Sequence, residues 1–426
     1  MLNAAILFSG QGSQFLGMGK ELYQHYDVVR SSFQEASEAL GLDVYKLCIM
    51  GGAKELTKTE NAQPAMLTIS FAAYQVYKQE LGITPVICAG HSLGEISALT
   101  CFGAMSLFDA VRLVRMRGLF MSEAVSEGEG AMAAIVGNDA ELTDLVEYEC
   151  ARYSCGKEVV AVSNYNSKKQ LVISGHKRLV EKVGDRLSAR RLKVIPLHVS
   201  APFHCRLMQP AAEKMKALLE TVEIHDSLIP VISNSNARPY QKKDKIRNNI
   251  YRNMTEPVRW TESVQYMCAN GVNLAFEMGA KPVLRELVAD ITDKIPVFSI
   301  TDSAQVHVAK SSIADIKQKK KMDAKNVGRK LLMHCMAAAV CTKNLNADTT
   351  QYEENVTKNY IKMKQMRNRV EAERVELSAE EIKQVIHMLK SIFCYKKIPL
   401  SQQNERWNEI FSETGLQSIN YHVILS

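Results

Sequence analysis

Short apolar runs that end in glycine-rich turns, each followed by helical spacing, dominate the first hundred residues. Ala4 to Ser9 (AAILFS) has the unbroken apolar character of a buried strand, and it leads through Gly10-Gln11-Gly12-Ser13-Gln14 to a helix from about Gly19. Asn61 to Leu81 is an apolar helix, with Pro64 suited to its first turn. Val86 to Glu95 (VICAGHSLGE) is a second apolar run that breaks at a glycine-flanked serine and gives way to a small-residue helix over Glu95 to Cys101. A further helix covers Leu107 to Val125 and carries Arg112, Arg115 and Arg117. Strand, turn and helix in this alternation predict an α/β fold.

From Gly130 the period changes. Ala131 to Val136, Val159 to Ser163, Leu171 to Ser174 and Lys193 to Val199 have strand character, interleaved with helical spacing over Leu142 to Arg152 and Arg178 to Ala189. The resulting β-α-β-β-α-β order predicts a small ferredoxin-like insert. The chain rejoins the larger domain at Ser200-Ala201-Pro202-Phe203-His204-Cys205, ahead of a helix from Leu207. Beyond Thr301, Lys317 to Lys325 (KQKKKMDAK) has the composition of a charged connector. Val327 to Val340 is apolar and Met-rich, Val356 to Val370 and Ile382 to Phe393 have helical periodicity, and Ser378 with Glu381 spells a capping box. The expected division is a large domain over 1–128 and 199–300, a subdomain over 129–198, a linker over 301–326 and a helical extension over 327–426.

Composition narrows the function. The chain has 426 residues, 46% of them hydrophobic, and no apolar stretch near the roughly 20 residues that span a bilayer. Met1 to Leu7 lacks the basic start of a secretory leader, and the ten cysteines show neither CxxC pairs nor zinc spacing, so a cytoplasmic protein with reduced thiols and no metal is expected. A formal net charge of +7, with no basic patch interleaved with aromatics, argues against nucleic acid and suits an acidic protein partner.

Ser92 is the candidate nucleophile: in Gly90-His91-Ser92-Leu93-Gly94 the serine falls on a strand-to-helix turn, as in a nucleophile elbow. A bare GxSxG also fits a turn that merely needs small residues. The Gly10 turn has neither Gly-Lys-Ser/Thr nor a full GxGxxG spacing, which discounts nucleotide binding. For any one arginine of the Arg112 to Arg117 group a solvated helix face is the simpler account. A lone loop histidine is more often structural, yet Ser92 needs a base and His204 stands in a suitable context.

Six stretches in order carry a resemblance: GQGSQ at Gly10 to Gln14, GHSLGE at Gly90 to Glu95, RMRG at Arg115 to Gly118, NYNS at Asn164 to Ser167, SAPFH at Ser200 to His204 and EPVRW at Glu256 to Trp260. Over roughly residues 1 to 300 the chain resembles the malonyl-CoA:acyl-carrier-protein transacylase family. That resemblance implies an α/β-hydrolase-like large domain, an inserted ferredoxin-like domain and a cleft between them. It assigns Ser92 as nucleophile, His204 as base, the backbone N–H groups of Gln11 and Leu93 as oxyanion donors, and Arg117 as the clamp for a malonyl carboxylate. Phe203, His91 and Asn253 complete the implied substrate-binding set, with Phe203 where malonyl-selective members carry a bulky residue. No cofactor is implied; malonyl-CoA is the donor and a phosphopantetheinylated carrier protein the acceptor. Members usually have Gln where Asn253 stands, its carbonyl orienting the histidine, and EMGAKPVL at Glu277 to Leu284 lacks the usual Gly-Pro pair. The tail resembles extensions of discrete acyltransferases that serve polyketide synthases in trans. An acyl hydrolase of carrier proteins and an inert docking module are the competing readings.

Overall fold

The computed structural model describes residues 2–414 apart from 139, 241, 349 and 374, with the side chains of 317, 319–326 and 379 also outside the description. Among the described residues nine strands form two sheets: β1 (Ala4–Phe8), β2 (Ile87–Gly90), β3 (Gly130–Val136), β4 (Val160–Ser167), β5 (Gln170–His176), β6 (Lys193–Leu197), β7 (Val231–Ile232), β8 (Leu274–Met278) and β9 (Val297–Ile300).

The first sheet is parallel throughout, in the order β7-β2-β1-β8-β9. Every residue of β1 and β8 is buried, because helices cover both faces and no strand residue can be left polar towards water. Ala5, Leu7 and Ala89 turn to one face and pack with Trp260, Val264, Leu284 and Val288. Phe8 turns to the other face and meets Tyr74 and Phe102 edge-on, at centroid distances of 6.3 and 6.4 Å. The helix Thr59–Glu80 on that face starts earlier than its pattern suggests, so Pro64 falls inside it and not in the first turn. Lys58 starts it instead, its carbonyl accepting from the N–H groups of Asn61 and Ala62 at 2.9 and 2.8 Å.

The second sheet is antiparallel, in the order β4-β5-β3-β6, with the helices Leu142–Tyr153 and Lys177–Ser188 in the expected places along the chain. Ile135, Val146, Leu171, Ile173, Val183 and Leu187 form its core. At the altered turn after β8, the buried Glu277 carboxylate takes over the role of a helix cap. It accepts the N–H groups of Leu284 at 2.7 Å and Arg285 at 2.9 Å, two of the donors left unpaired at the start of the helix Val283–Ile291.

The chain divides into two compact units, 1–310 and 311–426. The expected linker over 301–326 is not a separate connector: residues Ser303–Cys341 are one helix. Lysine, alanine, glutamine and methionine are good helix formers, and the stretch holds one glycine and no proline, so charge alone does not unwind it. The side chains of Lys317 and of residues 319–326, which carry most of that lysine cluster, lie outside the described residues. The second unit has its own core, including Leu331, Leu332, Cys335, Leu389, Ile392, Phe393 and Trp407. Its capping box is present, Ser378 Oγ accepting from the Glu381 N–H at 3.2 Å and Glu381 Oε2 from the Ser378 N–H at 2.8 Å. Lys396 is buried and donates to the carbonyls of Ala339 and Thr342, both at 2.7 Å, closing the C-terminal end of the long helix. The helix Leu400–Thr414 falls within the expected helical extension, in a stretch whose own periodicity singles out no helix. All ten cysteines are free, and among the described residues no helix is long and apolar enough to cross a membrane.

Candidate active site

Strand β2 ends at Gly90, and two residues later Ser92 adopts φ 55° and ψ −111°, a conformation that non-glycine residues rarely take. The turn is tight enough to dictate its flanks. A Cβ on Gly90 would lie 1.9 Å from the Gly94 carbonyl carbon, and one on Gly94 would lie 2.0 Å from the Phe8 carbonyl oxygen. Only glycine fits either place, and the serine side chain is left standing above the start of the helix Leu93–Cys101.

Ser92 Oγ lies 2.7 Å from His204 Nε2, and His204 Nδ1 lies 2.6 Å from the Asn253 carbonyl oxygen. A carbonyl can only accept, so Nδ1 carries the proton and Nε2 keeps the lone pair that receives the serine hydroxyl. Burial first, and then the charge of Arg117, press the imidazole down to about 3. His204 is therefore neutral, and able to act as a base, across the physiological range. Histidine 15N spectra at pH 5 should show this ring still neutral and protonated at Nδ1; an imidazolium there would contradict the geometry. The same depression makes acid destabilising. Between pH 6.5 and about 3 the unfolded chain binds a proton that the native ring refuses, so stability falls as pH drops through that window.

The Ser92 N–H donates to Asn234 Oδ1 at 2.7 Å and is spent. Among the described residues the N–H groups of Leu93 and Gln11 find no protein acceptor. Leu93 opens its helix, so its N–H is one of the unpaired donors of a helix N-terminus.

Arg117 comes from the helix Leu107–Glu123 and is 1% exposed. One terminal nitrogen donates to Gln63 Oε1 at 2.9 Å and the other to Asn253 Oδ1 at 3.0 Å, while its Nε finds no partner among the described residues. Burial lowers this guanidinium to about 10, opposed by the charge of Glu95, so it remains a cation at neutral pH. Its neighbours differ: Arg112 lies over the Phe108 ring and Arg115 reaches Asn61 Oδ1 at 3.4 Å. The helix-face account suits those two and fails for Arg117.

Gln11, His91, Ser92, Arg117, Phe203 and His204 line one cleft of about 630 Å³, roofed by Met132, Ala134 and Val172 of the second sheet. It opens where β1 and β2 end, the usual place for ligands in a parallel α/β sheet. His91 is held by Asn166 Oδ1 at 2.8 Å and packs on Trp260, and burial lowers its basicity. Asn253 departs from expectation. It does not line the cleft, because its amide is committed to Arg117, Glu95 and Asn234 and its carbonyl to His204. Four contributors escaped the sequence reading: Gln63, Glu95, Asn166 and Asn234. Glu95 and Asn166 stand inside quoted motifs, but nothing in the spacing marks Gln63 or Asn234.

The acyl transferase domain family matches residues 6–325. A malonyl CoA-acyl carrier protein transacylase of Bacillus subtilis is 40% identical over 407 residues, covering 95% of this chain and 99% of that protein. The chain belongs to the malonyl CoA-acyl carrier protein transacylase family. The transacylase of Escherichia coli (strain K12) is 43% identical over 311 residues, 72% of this chain and 99% of its own length. That family is thus matched with and without the second unit, since the Bacillus alignment runs well past residue 325. Among solved structures, the malonyl-transacylase in a complex with a type II polyketide synthase acyl-carrier protein is 40% identical, with a TM-score of 0.69, covering 72% of this chain and 98% of its own. The acyl carrier protein S-malonyltransferase of Vibrio cholerae, a second family member, gives 40% identity, a TM-score of 0.69, and 72% and 99% coverage.

Proposed function

We propose that this transacylase moves a malonyl group from malonyl-CoA to the phosphopantetheine thiol of an acyl carrier protein, through an acyl-serine on Ser92. The observation that carries the reading is the 2.7 Å contact of Ser92 with a neutral His204 in a cleft that also holds the buried cation Arg117. His204 takes the hydroxyl proton as Ser92 attacks the thioester carbonyl, and returns it to the departing CoA thiolate. The carrier thiol then attacks the acyl-serine, losing its proton to His204, which returns it to Ser92 Oγ as the ester bond breaks and the malonyl-carrier leaves. In both tetrahedral intermediates the oxyanion lies against the N–H groups of Gln11 and Leu93; one such donor is worth about 2.7 to 4 kcal/mol. Arg117 holds the malonyl carboxylate by charge-assisted hydrogen bonds, and Phe203 narrows the space beside the acyl group.

In this reading the parallel-sheet portion is α/β-hydrolase-like and the insert ferredoxin-like, supported by the elbow at Ser92 and by the β4-β5-β3-β6 order. The acceptor is an acidic carrier of a fatty-acid or polyketide synthase, which suits a chain of net charge +7, and the free cysteines suit the cytoplasm. Arg117 disfavours the hydrolase, which has no need to hold a free carboxylate. Incubation with malonyl-CoA and a phosphopantetheinylated carrier, followed by mass spectrometry of the carrier, should show malonyl-carrier. Free malonate with unloaded carrier would point to the hydrolase, and no turnover at all to a docking module.

A further inference from the structure

Behind Arg117 lies a carboxylate that never reaches the cleft. Glu95, 1% exposed, is the third residue of the helix that follows the nucleophile. Its Oε2 accepts from Asn253 Nδ2 at 2.8 Å and from the Asn234 N–H at 3.1 Å, and its Oε1 from the Tyr240 hydroxyl. The Asn253 amide and the Asn234 N–H can only donate at these contacts, while the Tyr240 hydroxyl can do either; burial raises this carboxyl to about 7 against the pull of those hydrogen bonds, so at pH 8 it is ionised and accepts from all three.

The Asn253 amide is thereby gripped between two opposite charges. Its NH2 faces Glu95 and its Oδ1 faces the Arg117 guanidinium at 3.0 Å. Turning the amide over would set oxygen against carboxylate and N–H against N–H, so one orientation is enforced. With Gln63 accepting from the other terminal nitrogen, the plane of the fork is fixed, and Nε has no partner among the described residues. The negative charge of Glu95 also favours the Arg117 cation, against the cost of burying it.

We infer that Glu95 is a positioning residue for the carboxylate clamp: through the Asn253 amide it fixes the Arg117 guanidinium, so that preference for a carboxylate-bearing acyl group depends on a side chain that never touches it. This rests on the transferase reading above. The catalytic pair should be largely spared. His204 is held by the Asn253 backbone carbonyl, which the helix Asp244–Thr255 supports through the buried Ile250 and Met254 whatever the side chain does.

Acyl-serine formation at pH 8 from malonyl-CoA and from acetyl-CoA, followed by intact mass, tests the inference with Glu95→Gln. That change keeps volume and lets the Tyr240 hydroxyl turn to accept, so the protein should stay folded, while the bond to Asn253 loses its charge and roughly half its strength. The malonyl rate should fall about tenfold and the acetyl rate less than about twofold, a loss of preference of the size seen for coupled neighbours. Glu95→Asp, which keeps the charge but withdraws it by one methylene, should lose preference as well. In an Asn253→Ala background, where preference is already reduced, Glu95→Gln should change the ratio less than about twofold. Equal losses on both donors, or the full Glu95→Gln effect persisting in Asn253→Ala, would overturn the inference and leave Glu95 a scaffold residue. A wild-type enzyme without malonyl preference would instead remove the clamp itself, a failure visible before any variant is made.

Discussion

Ser92→Ala should reduce malonyl transfer by on the order of 10⁴- to 10⁶-fold and leave no acyl-enzyme after incubation with malonyl-CoA. The magnitude follows from what the hydroxyl does. It is the atom that becomes acylated, and without it only the oxyanion donors and substrate binding remain to assist a water or thiol attack. The fold should be indifferent, because the serine side chain makes one hydrogen bond, to His204, and alanine meets the same backbone strain at φ 55°. Nucleophile and base act as a unit, so Ser92→Ala combined with His204→Ala should be no slower than Ser92→Ala alone. Rates and intact mass of the single and double variants check this. An adduct on the alanine variant would remove Ser92 from the mechanism.

The second large effect is expected at Arg117. Two charge-assisted hydrogen bonds to a substrate carboxylate, at about 1.5 to 3 kcal/mol each, amount to roughly 10²- to 10⁴-fold in rate. Arg117→Ala should therefore cut acylation by malonyl-CoA by that factor while acylation by acetyl-CoA, which offers the guanidinium nothing, falls much less. The ratio is the informative quantity. Truncation also strands Gln63 Oε1 and Asn253 Oδ1 in a buried site, at a stability cost of about 1 to 3 kcal/mol per group, so absolute rates carry a folding contribution that cancels between donors. Arg117→Lys should recover little, because a single ammonium cannot reach both acceptors and still present a fork. Equal loss on both donors would show that Arg117 is a structural cation.

Much of this site was legible in the linear chain because its parts are local. The elbow at Ser92 requires glycines two positions either side, and those steric demands are written at Gly90 and Gly94. The β-α-β-β-α-β order of 130–197 follows from the two-residue and three-to-four-residue periods of its strands and helices. The capping box from Ser378 to Glu381 is likewise a four-residue device. Charge density misled at 301–326, where helix propensity outweighed the appearance of a connector.

Contacts across long separations were a different matter. Local context singles out His204 from ten histidines, yet what makes it a base is the Asn253 carbonyl 49 residues on and the nucleophile 112 residues back. Arg117 looked like its neighbours Arg112 and Arg115 until packing buried it and left the others to the helix surface. Gln63 and Asn234 carry no mark of function in their own segments, because their roles exist only as hydrogen bonds to residues 54 and 142 positions away, and Glu95, though it ends the GHSLGE stretch, acts through a residue 158 positions away. The sequence by itself determined β1 to β6, the helices that alternate with them, the serine turn and the family; tertiary structure alone decided the three remaining strands, which cation is buried, which nitrogen of the histidine is free and which amide joins Arg117 to Glu95. The reason is physical: backbone sterics and periodicity act over a few residues, whereas desolvation and charge pairing depend on every group that folding brings within a few ångströms.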